Sequence, residues 1–199
     1  MSQLKYSYNV LYLMALIIFV SSCSPSSNSR RTSRYSSADK RDHTTSGTSE
    51  YKKYTYTSKK SASNVKNLSD VHTRDEIVLT ALKHTGRNYQ SGGKTPETGF
   101  DCSGFTSYIF NQNGIPISGS SDQQAKLGTH KSKDSLLPGD LVFFGNESRI
   151  SHVGIVASIG DNDFEIVHST TSAGVKIDNI TQSEYWQSRF LFGVDIISK

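Results

Sequence analysis

Cysteine is nearly absent from this chain, with 2 among 199 residues, at positions 23 and 102. That scarcity rules out a framework of several disulfides. Long hydrophobic runs are missing as well: the stretch from Leu11 to Val20 holds ten apolar residues, and a helix crossing a bilayer needs roughly 20. There is no internal repeat and no compact metal-ligand motif such as HExxH. Between Ser24 and Asn67 the chain has no Leu, Ile, Phe, Met or Trp, so that segment cannot bury enough apolar surface to offset the entropy of ordering it.

What is present begins with a leader. Residues 1–22 have one cation, Lys5, then the apolar run, then Ser21-Ser22, the pattern of a secretory signal peptide. Val20-Ser-Ser-Cys23 resembles a bacterial lipobox. The resemblance implies that Cys23 is acylated, becomes the mature N-terminus and anchors the chain to a membrane; an ordinary signal with an incidental cysteine is the alternative. Each buried CH2 contributes about 0.8 kcal/mol, so several acyl chains on one residue give lasting anchorage. With Cys23 given to lipid, Cys102 has no disulfide partner in a non-cytoplasmic compartment, which points to a reactive thiol or an intermolecular bridge.

Residues 23–67 are then the lipidated cysteine and a disordered tether. Of the 44 residues after Cys23, 18 are Ser or Thr, and 10 Lys or Arg stand against 3 Asp or Glu. Residues 68–199 have 11 basic against 15 acidic side chains. The overall basic balance therefore belongs to the tether, which would be drawn to anionic lipid or wall polymer. Nucleic acid is not an expected partner for an exported chain. As a flexible coil the tether spans about 35–40 Å root-mean-square.

The remaining stretch, 68–199, is long enough for one domain with its own core. Thr73-Arg-Asp-Glu76 reads as a capping box opening a helix that ends at Gly86;. A second helix should start near Cys102 and stop at Gly114, and Ser121 to Gln124 should form a short third. From Leu141 onward the pattern turns to strands: Leu141–Phe144, Val153–Ala157, Phe164–Val167, Val175–Ile177 and Phe190–Ile197, separated by Gly, Asn and Asp;. Helices followed by strands predict an α+β fold with an antiparallel sheet.

Cys102 falls where a glycine-rich loop meets the second helix. Unpaired N–H groups at a helix start favour a thiolate, and the neighbouring Asp101 opposes this unless it caps the helix. A thiol nucleophile needs a base. Of the six histidines, His43 is in the tether, His72 and His84 flank or lie on the first helix, and His130 is in a polar loop. Only His152 and His168 are embedded in strand-like sequence. In a hairpin centred on Gly160 they would lie directly opposite each other, each eight residues from the centre, so that one could orient the other. A Cys-His-His zinc site is the competing chemistry, without a compact motif to support it.

Tyr89-Gln-Ser-Gly-Gly93, Gly99-Phe-Asp-Cys-Ser-Gly-Phe105, Leu137-Pro-Gly-Asp-Leu-Val-Phe-Phe144, Ser151-His-Val-Gly-Ile155 and Val167-His-Ser169 together resemble the NlpC/P60 family of cell-wall peptidases. The resemblance covers residues 68–199 and implies a papain-like fold, N-terminal helices packed on a small antiparallel sheet. It implies hydrolysis of peptidoglycan stem peptides at the γ-D-glutamyl–diamino acid bond. It makes Cys102 the nucleophile, His152 the general base and His168 its orienter. Tyr89 would help stabilise the oxyanion, and Asp101 and Ser103 would hold substrate amine and carboxylate groups, with helix capping as their alternative. Ser91 and Gly119-Ser120 depart from the family pattern, where an aromatic residue and an arginine are common. No metal and no cofactor is implied. The expected partners are peptidoglycan and, through Cys23, a membrane; the expected state is a monomer in the bacterial cell envelope, facing the periplasm. Ser24 suits outer-membrane sorting. The rivals are a same-fold amidase, transpeptidase or acyltransferase, and a non-catalytic wall-binding lipoprotein.

Overall fold

The computed structural model describes residues 68–160 and 163–198. The expected signal peptide, the lipidated Cys23 and the tether lie outside these residues.

Helix α1 runs over Leu68–Leu82 and buries Ile77, Val78 and Ala81 on one face. Thr73 does not open it: the residue lies inside α1, its Oγ1 donating to the Ser69 carbonyl 2.9 Å away. A Thr-x-x-Glu pattern caps only where the backbone before it is extended, and within a helix the hydroxyl bonds back one turn instead. Two short strands, β1 (Lys94–Thr95) and β2 (Gly99–Phe100), form a hairpin that leads directly into α2 (Cys102–Gln112). The expected third helix is α3 (Ser121–Gln124), although its N-cap is Ser120, joined reciprocally to Gln123. The buried Gln124 ties it to α2, accepting from Thr106 Oγ1 and donating to the Ser103 carbonyl.

The main sheet has six strands: β3 (Thr129–Lys131), β4 (Leu141–Asn146), β5 (Arg149–Ile159), β6 (Phe164–Thr170), β7 (Gly174–Asn179) and β8 (Phe190–Asp195). Their order is β3-β8-β4-β5-β6-β7 and every pairing is antiparallel. A one-turn helix α4 (Glu184–Gln187) precedes β8. Alternation along the strands divides the core. Leu141, Phe143, Val153, Ile155 and Val167 pack with the buried faces of α1 and α2. Val142, Phe144, Val156 and Ile166 face the other way, against Leu136, Phe164 and Ile180, with Trp186 and Phe190 packed at the margin. The mixed α+β architecture expected from the sequence is thus present, with helices over one side of an antiparallel sheet. Among the described residues no helix is long and apolar enough to cross a membrane.

One buried ionic knot fastens α1 to the sheet. Arg74, fully buried, donates from Nη1 to Asp140 Oδ1 at 2.7 Å and from Nη2 to Asp195 Oδ2 at 2.6 Å, and Lys131 Nζ reaches both carboxylates at 3.1 and 2.8 Å. Burial pushes the Asp140 carboxyl above its ordinary value despite these cations. Burial would also raise Asp195, but hydrogen bonding from Lys131 and the charge of Arg74 hold it well below the usual range.

Candidate active site

The β1–β2 hairpin and the start of α2 make one wall of a cleft. Gly104 lets them close: a Cβ there would stand 2.0 Å from the Gly93 carbonyl oxygen. Asp101 is the N-cap, its Oδ1 accepting from the Gly104 N–H at 2.6 Å and from Ser103 Oγ at 3.1 Å, while Oδ2 accepts from the Gly92 N–H at 3.0 Å. Both candidate substrate-holding residues are therefore engaged in the cap, and neither lines the cleft. Tyr89 does line it, beside Cys102. The Ser169 hydroxyl donates to the Phe100 carbonyl at 2.7 Å and so docks this wall on β6.

Cys102 occupies the first turn of α2. Burial pushes its thiol above the ordinary value; backbone hydrogen bonds at Val153, Ser103 and Cys102 itself oppose this, and the charge of Asp101 adds to the rise. The lowering expected from the helix start is thus present but outweighed, because the sulfur is largely withdrawn from water. Burial also raises the Tyr89 hydroxyl, with the nearby Cys102 and Asp101 acting in the same direction, which keeps it a donor.

The opposite wall carries the imidazoles. His152 Nε2 lies 2.8 Å from His168 Nδ1, and His168 Nε2 lies 3.0 Å from Asp178 Oδ2. Their register differs from the expected hairpin. Ile155 pairs with Val167 and Val156 with Ile166, so the ladder beside the histidines is centred one residue later than expected and Gly154 is the residue that stands against His168; nearer the turn, past an irregularity between Val156 and Ser158, the shift is larger still. A Cβ on Gly154 would be 3.1 Å from His168 Cβ. The two histidines are diagonal neighbours on one face, within reach because rings are long and the intervening residue has no side chain. The next link repeats the geometry: His168 pairs with Lys176 on β7, and Asp178 is two residues beyond.

Asp178 was not among the residues singled out from the sequence. Its Oδ2 also accepts from Trp186 Nε1 at 3.0 Å, and its Oδ1 pairs with Lys176 Nζ at 2.6 Å. Burial would raise this carboxyl, but the hydrogen bonds from His168, Lys176 and Trp186 hold it well below the carboxylate range. An ionised carboxylate only accepts, so His168 must donate from Nε2. Burial lowers the pKa of His168, and in a neutral imidazole the other nitrogen is then an acceptor. His152 accordingly donates from Nε2 and keeps a bare lone pair on Nδ1. Burial, with the charge of His168, lowers His152 to about 3. Trp186 stacks on the His152 ring with centroids 5.0 Å apart at 28°. The result is a neutral base of fixed tautomer lining the same cleft as a neutral thiol, the pair of groups that thiol catalysis requires;.

Cys102, His152, Tyr89 and Asp178 line a single cleft of about 610 Å³. The nitrogens of His152 and His168 bond each other rather than converging on a point, and among the described residues no group of three His, Cys, Asp or Glu is arranged to hold a metal ion. His84 packs edge-on against Phe100 and Tyr108, and His130 bonds the Ala125 carbonyl and stacks on Phe192. Gly119 borders a separate cavity of about 200 Å³. Neither it nor Ser91 lines the main cleft.

The family description for NlpC/P60 matches residues 86–194, from the end of the first helical segment to the last strand. The chain belongs to the NlpC/P60 family. It is similar to a gamma-DL-glutamyl hydrolase of Bacillus subtilis, 34% identical over 125 residues, covering 62% of this chain and 30% of the relative. It is also similar to the murein DD-endopeptidase MepS/murein LD-carboxypeptidase of Escherichia coli, 36% identical over 122 residues, covering 61% and 62%. The chain thus spans less than two thirds of either relative's length. Among solved structures, the NlpC/p60 domain of the peptidoglycan hydrolase SagA aligns with a TM-score of 0.52 at 34% identity, over 61% of this chain and 97% of that one. The NlpC/P60 fold is therefore the frame in which Cys102, His152 and His168 come together.

Proposed function

We propose that this protein is a cysteine peptidase that hydrolyses peptidoglycan stem peptides, with Cys102 as nucleophile, His152 as general base and then acid, and His168 as the orienter of His152. The observation that carries the proposal is the chain of hydrogen bonds from Asp178 through His168 to His152, opening into the cleft that Cys102 lines. The thiol proton passes to His152 Nδ1 as sulfur bonds the scissile carbonyl carbon. His152 returns the proton to the leaving amine, and water, deprotonated by the same nitrogen, cleaves the thioester and restores the thiol. The Cys102 backbone N–H and the Tyr89 hydroxyl are the proposed oxyanion donors; each such donor is worth about 3–4 kcal/mol in the transition state.

The proposed bond is that between γ-D-glutamate and the diamino acid, the linkage suggested by the name of the Bacillus relative. The Escherichia relative's name points instead to D,D cross-links. Anchorage through an acylated Cys23, with the domain facing the periplasm at the end of its basic tether, completes the proposal. Incubation of the full chain with purified muropeptides, followed by mass analysis, tests it. Two peptide fragments of matching mass are expected from the wild type and none from Cys102→Ala; no cleavage, or equal cleavage by both, would sink the proposal. The fragment masses also separate the two bonds, and separate peptide cleavage from amidase or transfer chemistry.

A further inference from the structure

The two walls of the cleft differ in charge. Beyond His152 the imidazole wall continues through Trp186 and Tyr185 to Arg189, all of which line the cavity. Successive contacts are 5.0 Å between His152 and Trp186, 4.9 Å between Trp186 and Tyr185, and 3.8 Å from the Arg189 guanidinium to the Tyr185 ring.

Two cations stand on this wall, and they are not equivalent. Lys176 is held by Asp178 at 2.6 Å, so that pair presents little net charge. Arg189 has no carboxylate partner among the described residues. Its bonds are from Nη1 alone, to the Tyr185 carbonyl at 3.0 Å and to Ser188 Oγ at 3.2 Å. The Nε and Nη2 donors, which form one edge of the guanidinium, make no hydrogen bond to the described residues. The guanidinium lies over the Tyr185 ring, a cation–π contact that restrains it;. Thr170, Thr171, Ser172 and Ser183 add hydroxyls to the lining of the same cleft. An unneutralised guanidinium edge in a cleft lined with hydroxyls matches the geometry of a carboxylate, which it can bind through two parallel hydrogen bonds;.

We infer that Arg189 is a specificity-determining residue whose Nε–Nη2 edge holds a free carboxylate of the peptide on the histidine side of Cys102, so that stems bearing that carboxylate are preferred to amidated ones. The inference rests on the hydrolase proposal for its substrate class.

The test uses two synthetic stem peptides identical except that the carboxylates are free or amidated. The wild-type full chain should show a KM lower for the free acid by about 10-fold or more, the range of a charge-assisted pair. In Arg189→Gln that ratio should fall to near one with kcat on the free acid little changed, and Arg189→Lys, which keeps the charge without the fork, should restore part of it. Added salt should erode the wild-type preference. A wild type indifferent to amidation, or a preference that survives in Arg189→Gln, overturns the inference. Calorimetric binding of the same pair to Cys102→Ala and to Cys102→Ala/Arg189→Gln separates this outcome from failure of the hydrolase proposal. A preference seen in binding and lost with Arg189 upholds the inference even where neither peptide is cut; absence of any preference in binding overturns it.

Discussion

Asp178 Oδ2 lies 3.0 Å from His168 Nε2, and this contact sets the direction of every proton between the carboxylate and the cleft. Because Asp178 can only accept, His168 donates to it and receives from His152, whose free nitrogen is left bare. The carboxylate is a positioning residue, two hydrogen bonds removed from the nitrogen that would take the thiol proton.

Replacing Asp178 with Asn should therefore do more than remove a charge. An amide can donate to His168 Nε2, which reverses both ring tautomers and puts a proton on the His152 nitrogen that must be bare. We expect kcat to fall about 10- to 100-fold, less than the ~10⁴-fold loss possible when the altered carboxylate bonds the base directly. KM should change little. Steady-state kinetics with a pH profile checks this: a purely structural role would lower the folded fraction without altering the profile.

The base itself should work in acid. His152 is lowered to about 3 by burial and by His168, so its competent neutral form persists above that value and is lost only as pH falls through it. Activity at pH 5 should remain close to that at neutrality, where a base near the ordinary ~6.5 would have lost most of it. The same depression has a cost in stability. Between the unfolded value and about 3 the unfolded chain binds a proton that the folded one excludes, so urea midpoints should decline as pH falls below ~6.5. His152→Phe should flatten that decline.

The thiol should titrate late. Burial raises Cys102 despite three backbone hydrogen bonds, so its alkylation by iodoacetamide should still be accelerating at pH values above the ordinary ~8.5. Peptide mapping separates Cys102 from Cys23. An apparent pKa below 7 would mean that the thiolate–imidazolium pair exists before substrate binds.

Arg74 joins two buried carboxylates, Asp140 and Asp195. Arg74→Ala leaves them with Lys131 alone, and loss of one partner from a buried ionic group costs about 3–5 kcal/mol. Urea denaturation measures it. Arg74→Lys, which keeps the charge but cannot reach both acids with one fork, should lose less.

Much of this was legible in the sequence, for identifiable reasons. Asp101-Cys102-Ser103 announced the start of α2 because a capping carboxylate and the helix it caps are neighbours in the chain. The strand positions followed from runs of Val, Ile and Phe. What escaped notice depended on contacts between distant residues. Thr73 looked like a cap because the i−4 bond that absorbs it leaves no local trace. The histidine pairing was offset because the hairpin turns further along the chain than Gly160, with Ile159 paired to Phe164 and Ser158 to Glu165, and the irregularity after Val156 takes back only part of that shift. Asp178 lies one residue past the strand legible at Val175–Ile177; continuing that alternation by one residue puts 176 and 178 on the face of His168. The stack from Trp186 to Arg189 rests on a four-residue helix too short to show a period.

Strand β8 lies between β3 and β4, although it is the last of the three to be synthesised. A chain emerging from a ribosome therefore presents Cys102 long before the sheet can close, because residues 190–195 fill the gap between β3 and β4. The order of arrival is therefore nucleophile first and companions later, and the sheet that carries the imidazoles is closed by its last strand.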